Sequence, residues 1–296
     1  MPTGEKKKLT KKIEHAILIS QANEIAKYFV YGKLSKATKN PHNKRVLKRI
    51  ADDEWEHYRF WKGYMNQDVK PYRWLIWKYY LLSRIFGITF GIKLMERGEE
   101  KAQVTYGEIA KHIPTAKQIE QDEQKHERAL IDLIDEERLR YVGSMVLGLN
   151  DALVELTGAL AGFTLALQNT RLIAMAGFIT GIAASLSMGA SEYLSTKSER
   201  GLHDPWKACL YTGSTYVITV LFLIFPYLIF ANYYVCLTFM LVNAIIVILI
   251  FTYYISVAKD TSFNKRFFEM AGISLGIAAL TFVIGFFVRM AFNINI

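Results

Sequence analysis

The sequence predicts an all-α protein in two parts, a cytosolic four-helix bundle over residues 1–138 and a five-helix transmembrane domain over residues 139–296. Three observations carry this. The composition changes abruptly near residue 140, from charged and amphipathic to apolar. The apolar runs, at about 142–167, 171–196, 208–231, 234–258 and 268–292, are each near the ~20 residues that cross a hydrocarbon core. The charged part, finally, is an internal duplication of a helical hairpin.

In the first part, helical periodicity runs from about Leu9 to Lys36. A second helix starts after Asn40-Pro41, a capping residue followed by proline at the first helical position, and stops by Pro71. A third covers about Ile88 to His112. The fourth starts at Pro114-Thr115 and continues toward Arg140, with the first membrane span directly after it. The crossover between the second and third helices holds Trp74, Trp77, Tyr79 and Tyr80 with Lys78 and Arg84 among them. It reads either as core packing or as an interfacial helix resting on the cytoplasmic headgroups. Its charges argue against a sixth span.

The duplication shows in the motifs. Asp53-Glu54-Trp55-Glu56-His57 and Asp122-Glu123-Gln124-Lys125-His126 both read Asp-Glu-x-x-His, and Glu24 and Glu99 each precede a tyrosine, Tyr31 and Tyr106, by seven residues. Positions i and i+3 share a helix face, so Glu54 with His57, and Glu123 with His126, can each hold a metal ion. One Glu from each of the other two helices completes a carboxylate-bridged dimetal site. Oxygen and imidazole donors suit iron or manganese better than copper(I). His15, His42 and His112 match no repeat position and read as ordinary helical or surface histidines.

Residues 9–138 resemble the ferritin-like domain of rubrerythrin-type proteins. The resemblance implies ligands Glu24, Glu54, His57, Glu99, Glu123 and His126 and a pair of iron ions, with manganese or zinc as alternatives. Glu96 and Glu100 lie close to Glu99, and the repeat register alone favours Glu99. Rubrerythrins also carry a rubredoxin-like iron site held by four cysteines. Here the two cysteines, Cys209 and Cys236, fall in or beside apolar spans, so peroxidase turnover by internal electron transfer is not expected. A ferroxidase activity stays open.

Lys and Arg placement sets the expected orientation. Arg138, Arg140, Lys197, Arg200, Lys207, Lys259, Lys265 and Arg266 flank one side of the membrane, and mainly Arg171 the other. That predicts a cytosolic N-terminus and, after an odd number of spans, an external C-terminus, in a cell membrane or a vacuole-like organelle membrane. No signal peptide is expected. The net charge of +9 is accounted for by these flanks and the lysine-rich start, Lys6 to Lys12, without a nucleic-acid partner.

The first span carries Asn150, Asp151 and Glu155 in an otherwise apolar run. An ionised carboxylate near a bilayer centre costs at least a few kcal/mol and normally faces protein or a wet path. Asp151 and Glu155 share a face, as do Met188 and Glu192 on the antiparallel second span. At about 1.5 Å per residue the order inward from the cytosol is Glu192, Met188, Asp151, Glu155, a ladder of ligands. A thioether among carboxylates discriminates against magnesium and calcium and favours a borderline ion such as Fe(II). Small residues from Gly177 to Ser191 allow close helix approach.

Gly148-Leu149-Asn150-Asp151-Ala152-Leu153-Val154 and Ser187-Met188-Gly189-Ala190-Ser191-Glu192-Tyr193-Leu194-Ser195 resemble the vacuolar iron transporter family, and the resemblance extends over about residues 139–296. It implies a homodimer, proton-coupled movement of Fe(II) or Mn(II) out of the cytosol, and Asp151, Glu155, Met188 and Glu192 as path residues. Plant-type members carry a Glu-rich helical domain between spans two and three. Here that interval is only about Thr196 to Lys207, so the N-terminal bundle stands in the missing module's place. The rival expectation is a membrane-anchored di-iron ferroxidase or peroxidase. An anchor needs a single span without buried carboxylates, and this chain has several of each.

Overall fold

A computed structural model describes residues 10–100, 109–110, 112–133, 140–199 and 204–292. Every regular element among them is a helix. The chain divides into two compact units, Met1–Glu136 and Glu137–Ile296.

The first unit is organised by a long antiparallel hairpin of α1 (Lys11–Ala37) and α2 (Pro41–Met65). Asn40 caps α2, its Oδ1 accepting from the backbone N–H groups of His42 and Asn43 at 2.8 and 3.3 Å, and Pro41 supplies a first-turn residue that has no N–H to lose. Apolar residues at helical spacing bury two clusters. One joins Val30, Tyr31 and Leu34 to Leu47 and Ile50, with Ile76, Ile92 and Met95 added from later helices. The other joins Ile13 and Ile17 to Trp61, Ile109, Ile113 and Ile119. Along α1 and α2 the stretch between these clusters carries Gln21, Glu24 and Lys27 opposite Glu54 and His57. Apolar packing at both ends therefore fixes the register of a polar middle.

The crossover is itself helical. α3 (Arg73–Phe86) packs on α1 and on α4 (Ile88–Glu100), and Gly87 joins the two at a φ of 106°, where a Cβ would be strained. The third sequence-predicted helix is thus described over its first half, as α4. The side chains of Glu96, Glu99 and Glu100 lie outside the described residues, as do residues 101–108. The fourth predicted helix is α5 (Thr115–Leu133), which packs against α2.

In the second unit five helices are long and apolar enough to cross a membrane: α6 (Val142–Leu167), α7 (Thr170–Ser198), α8 (Pro205–Ile229), α9 (Tyr233–Ala258) and α10 (Phe263–Phe292). Their ends carry the expected punctuation. Asn169, Asp204 and Asn232 cap α7, α8 and α9 through side-chain oxygens, and Gln168 closes α6 in the left-handed region.

α6 is the central helix, packed on α8 over its first half and on α10 over its second. Hydroxyls fasten both contacts: Thr212 Oγ1 donates to the Ser144 carbonyl at 3.0 Å, Ser274 Oγ to that of Leu153 at 2.8 Å, and Thr281 Oγ1 to that of Gly158 at 2.7 Å. A Cβ at Gly148 would collide with the Thr212 carbonyl, so glycine there lets α6 and α8 meet backbone to backbone. Gly148→Ala is expected to cost about 1–3 kcal/mol through overpacking. Thermal unfolding in detergent checks this; an unchanged midpoint would show that the helices can separate freely.

Candidate metal centre and membrane path

The polar middle of the first unit brings Glu24, Glu54, His57 and Glu123 together, one donor atom from each lying within 4.8 Å of the others. α1, α2 and α5 each contribute. His57 Nδ1 is 3.1 Å from Glu123 Oε1 and 3.9 Å from Glu54 Oε2. Glu24 and Glu54 are buried.

A residue that sequence reasoning missed sits among them. The ammonium of Lys27, 3% exposed, donates to Glu123 Oε2 at 2.7 Å and lies 3.9 Å from Glu54 Oε1. The signal was present, since Lys27 is three residues after Glu24 on the same face. His126 stands beside the cluster: its Nε2 is 2.9 Å from Asp53 Oδ2, its ring centroid is 5.9 Å from that of His57, and its buried Nδ1 has no hydrogen-bond partner among the described residues. A cavity of about 440 Å³ lined by Asp53, Glu56, His57, Asp122 and His126 borders this group.

The electrostatics follow from crowding. Burial, then the charges of Glu123 and Glu54, push the Glu24 carboxyl well above the usual range. Burial opposes the charge on Glu123 as well, but Lys27 and His57 outweigh it and hold that carboxyl far below its ordinary value. Burial likewise opposes the charge on His57, yet its hydrogen bond to Glu123 and the nearby carboxylates raise it. For His126 burial wins, and its imidazole is held low.

Three carboxylates and an imidazole suit a divalent iron, manganese or zinc ion. The described donors could hold one such ion in place of the Lys27 ammonium. A second would draw on His126, and on Glu99, which lies outside the described side chains.

The pH dependence has a definite sign. His57, raised by Glu123, and Glu24, raised by burial, hold protons at pH values where free side chains have lost them. A metal must displace those protons, so affinity should fall as pH drops through the raised values. For the metal-free unit the raised His57 stabilises below its unfolded pKa and loses that contribution as pH rises through the folded one. The depressed Glu123 stabilises above its unfolded pKa and loses it only as pH falls through its folded value. Calorimetric Mn(II) titration in buffers of different ionisation enthalpy should reveal proton release. A pH-independent affinity would contradict this.

In the second unit the first span is not a plain α-helix. Its middle, Ala152–Leu156, widens into a π turn directly after Asp151, a feature that concentrates at functional sites. Asp151 and Glu155 lie one turn apart, near enough across this turn to interact electrostatically. The buried Tyr216 of α8 donates its hydroxyl to Glu155 Oε2 at 3.0 Å. Tyr216 is a second residue that sequence reasoning missed, although it sits about 17 Å along its span, where a phenol has no headgroup to reach. Asn150 Oδ1 and Thr157 Oγ1 are buried oxygens without a hydrogen-bond partner among the described residues.

Glu192 accepts from Ser144 Oγ at 2.6 Å, which levels it with the first turn of α6 and sets Asp151 about 10 Å deeper. Met188 is half-buried one turn inward from Glu192 on α7. Glu155 is exposed on the surface of the single chain.

Residues 142–204 match the VIT family. The VIT match covers both spans that carry Asp151, Glu155, Met188 and Glu192, and it supports a vacuolar iron transporter membrane domain in this half of the chain. Membrane transport of a metal ion, iron or manganese, is what a VIT match suggests. No curated protein and no solved structure matches the chain.

Proposed function

We propose that the chain exports Fe(II), and Mn(II) as a second substrate, from the cytosol in exchange for protons, working as a homodimer with its N-terminus cytosolic. The observation that carries this reading is the mid-span pair Asp151 and Glu155 at a π turn, with Tyr216 of α8 hydrogen-bonded to Glu155. Two carboxyl groups one helical turn apart on the same face can hold a proton or a cation between them, and alternation between those states is what antiport requires. Ions enter at Glu192, pass Met188, and reach the carboxylate pair. Tyr216 orients Glu155. Because Glu155 is exposed in a single chain, a second copy is the natural cover for it in a bilayer.

The first unit acts as a ferritin-like collecting or sensing domain. Metal bound there would supply a local store of divalent iron, held by Glu24, Glu54, His57 and Glu123; with Glu99 and His126 included, the store takes two ions. Lys27 keeps the cluster balanced in the metal-free protein. The module tunes delivery, so removing residues 1–135 is expected to alter the rate of flux, or its dependence on cytosolic metal, while leaving flux itself.

Vesicles containing the full chain and an enclosed metal-sensitive dye test the reading. Entry of Fe(II) and Mn(II), without entry of Ca(II), supports transport. Rapid oxidation of Fe(II) at the vesicle surface with no entry would instead favour the membrane-anchored ferroxidase.

A further inference from the structure

The crossover helix α3 turns an apolar face away from the protein. Its inner face buries Ile76 and Ser83, whereas Trp74, Trp77, Leu81 and Ile85 are 65, 48, 50 and 60% exposed. At 100° per residue these four occupy an arc of about 80°, opposite the buried side. The basic residues edge this arc: Arg73 and Arg84 fall along one border and Lys78 along the other, all exposed. Lys78 lies over the Trp74 ring at 5.7 Å, and Lys33 of α1 over Trp77 at 4.4 Å. Between Val69 and Met95 the chain has no Asp or Glu, while Lys70, Arg73, Lys78, Arg84 and Lys93 are basic.

A soluble bundle has no use for such a stripe, since exposing four large apolar side chains in a row invites association. Aromatic anchors bordered by cations on both sides match a bilayer interface, where rings sit at headgroup depth and lysine and arginine meet anionic lipid. The surface is also within the chain's reach, because the same polypeptide continues into five spans. We infer that α3 docks on the anionic headgroup surface of the bilayer in which the spans sit, its Trp74–Trp77–Leu81–Ile85 face inserted and Arg73, Lys78 and Arg84 bound to lipid phosphates or carboxylates. The inference rests on the spans crossing a membrane and is independent of any metal reading.

The full chain, in nanodiscs whose anionic lipids carry brominated acyl chains, tests it. Trp emission of the unsubstituted chain is compared with that of the Trp74→Phe/Trp77→Phe variant, whose changes fall on exposed positions; Trp55, Trp61 and Trp206 remain as a shared background. The difference emission, which belongs to Trp74 and Trp77, should be quenched by bromolipid and shielded from aqueous acrylamide. In the Arg73→Glu/Lys78→Glu/Arg84→Glu variant that quenching should fall severalfold, and acrylamide should gain access. Difference emission quenched by acrylamide but not by bromolipid would overturn the inference by leaving the helix in water. Emission shielded from both quenchers would overturn it in favour of a second protein copy on this face. Bromolipid quenching unchanged by the charge reversals would overturn the role assigned to the cations.

Discussion

Asp151→Asn should abolish proton-coupled metal flux while the chain still folds and inserts. A metal cation crossing the bilayer exchanges water for protein donors near the midplane, and Asp151, with Glu155 and the Tyr216 hydroxyl beyond it, is the best-placed anionic group there. An amide keeps the shape but can neither take up and release a proton nor neutralise the ion's charge. The loss should exceed the about 10–100-fold typical of changes to groups that merely orient a metal ligand. Tyr216→Phe removes only the hydroxyl that holds Glu155 and should fall within that milder range. Dye-loaded vesicles compare the variants directly, with insertion checked by protease protection. Asp151→Asn at the unsubstituted rate would remove the carboxylate from the mechanism.

Lys27→Met should loosen the metal-free soluble unit and tighten its grip on metal. Removing one partner from a buried ionic group leaves its carboxylates uncompensated, a change that costs about 3–5 kcal/mol. Glu54 and Glu123 would be those carboxylates here. A divalent ion can then replace the lost ammonium without having to displace it. Unfolding of the variant's soluble unit should therefore begin far below that of the unsubstituted chain without metal, and recover by a larger increment when Mn(II) is added. Equal stabilisation of both proteins by Mn(II) would mean that metal and ammonium do not compete for the same carboxylates.

Much of this was legible in the sequence because it rests on periodicity and end chemistry. Five runs near spanning length became five helices, and Asn40-Pro41 began a helix as a capped proline start should. Pairing Glu54 with His57 followed from i, i+3 geometry, and Glu24 and Glu123 join them within one cluster. What escaped depends on partners distant in sequence. Lys27 reads as one more helix cation until Glu54 and Glu123 are folded around it, and Tyr216 reads as an apolar filler until α8 is laid against α6. His126 has the spacing of a ligand, and the contact of its Nε2 with Asp53 at 2.9 Å could not be read from that spacing. The π turn leaves no trace in composition, since one extra residue in a turn is invisible to a hydropathy window. For the crossover the sequence left core packing and an interfacial helix open, and 73–86 is a helix that buries Ile76 and Ser83 while exposing Trp74, Trp77, Leu81 and Ile85.

The central claim is the exchange of a metal ion for protons through the Asp151 group. Its most direct test records Mn(II) entry and internal pH together in vesicles of the full chain, with and without an imposed proton gradient. An acidic vesicle interior should accelerate Mn(II) entry, and entry without a gradient should itself drive the interior alkaline as protons leave. Mn(II) entry that neither responds to the gradient nor moves protons would contradict the account.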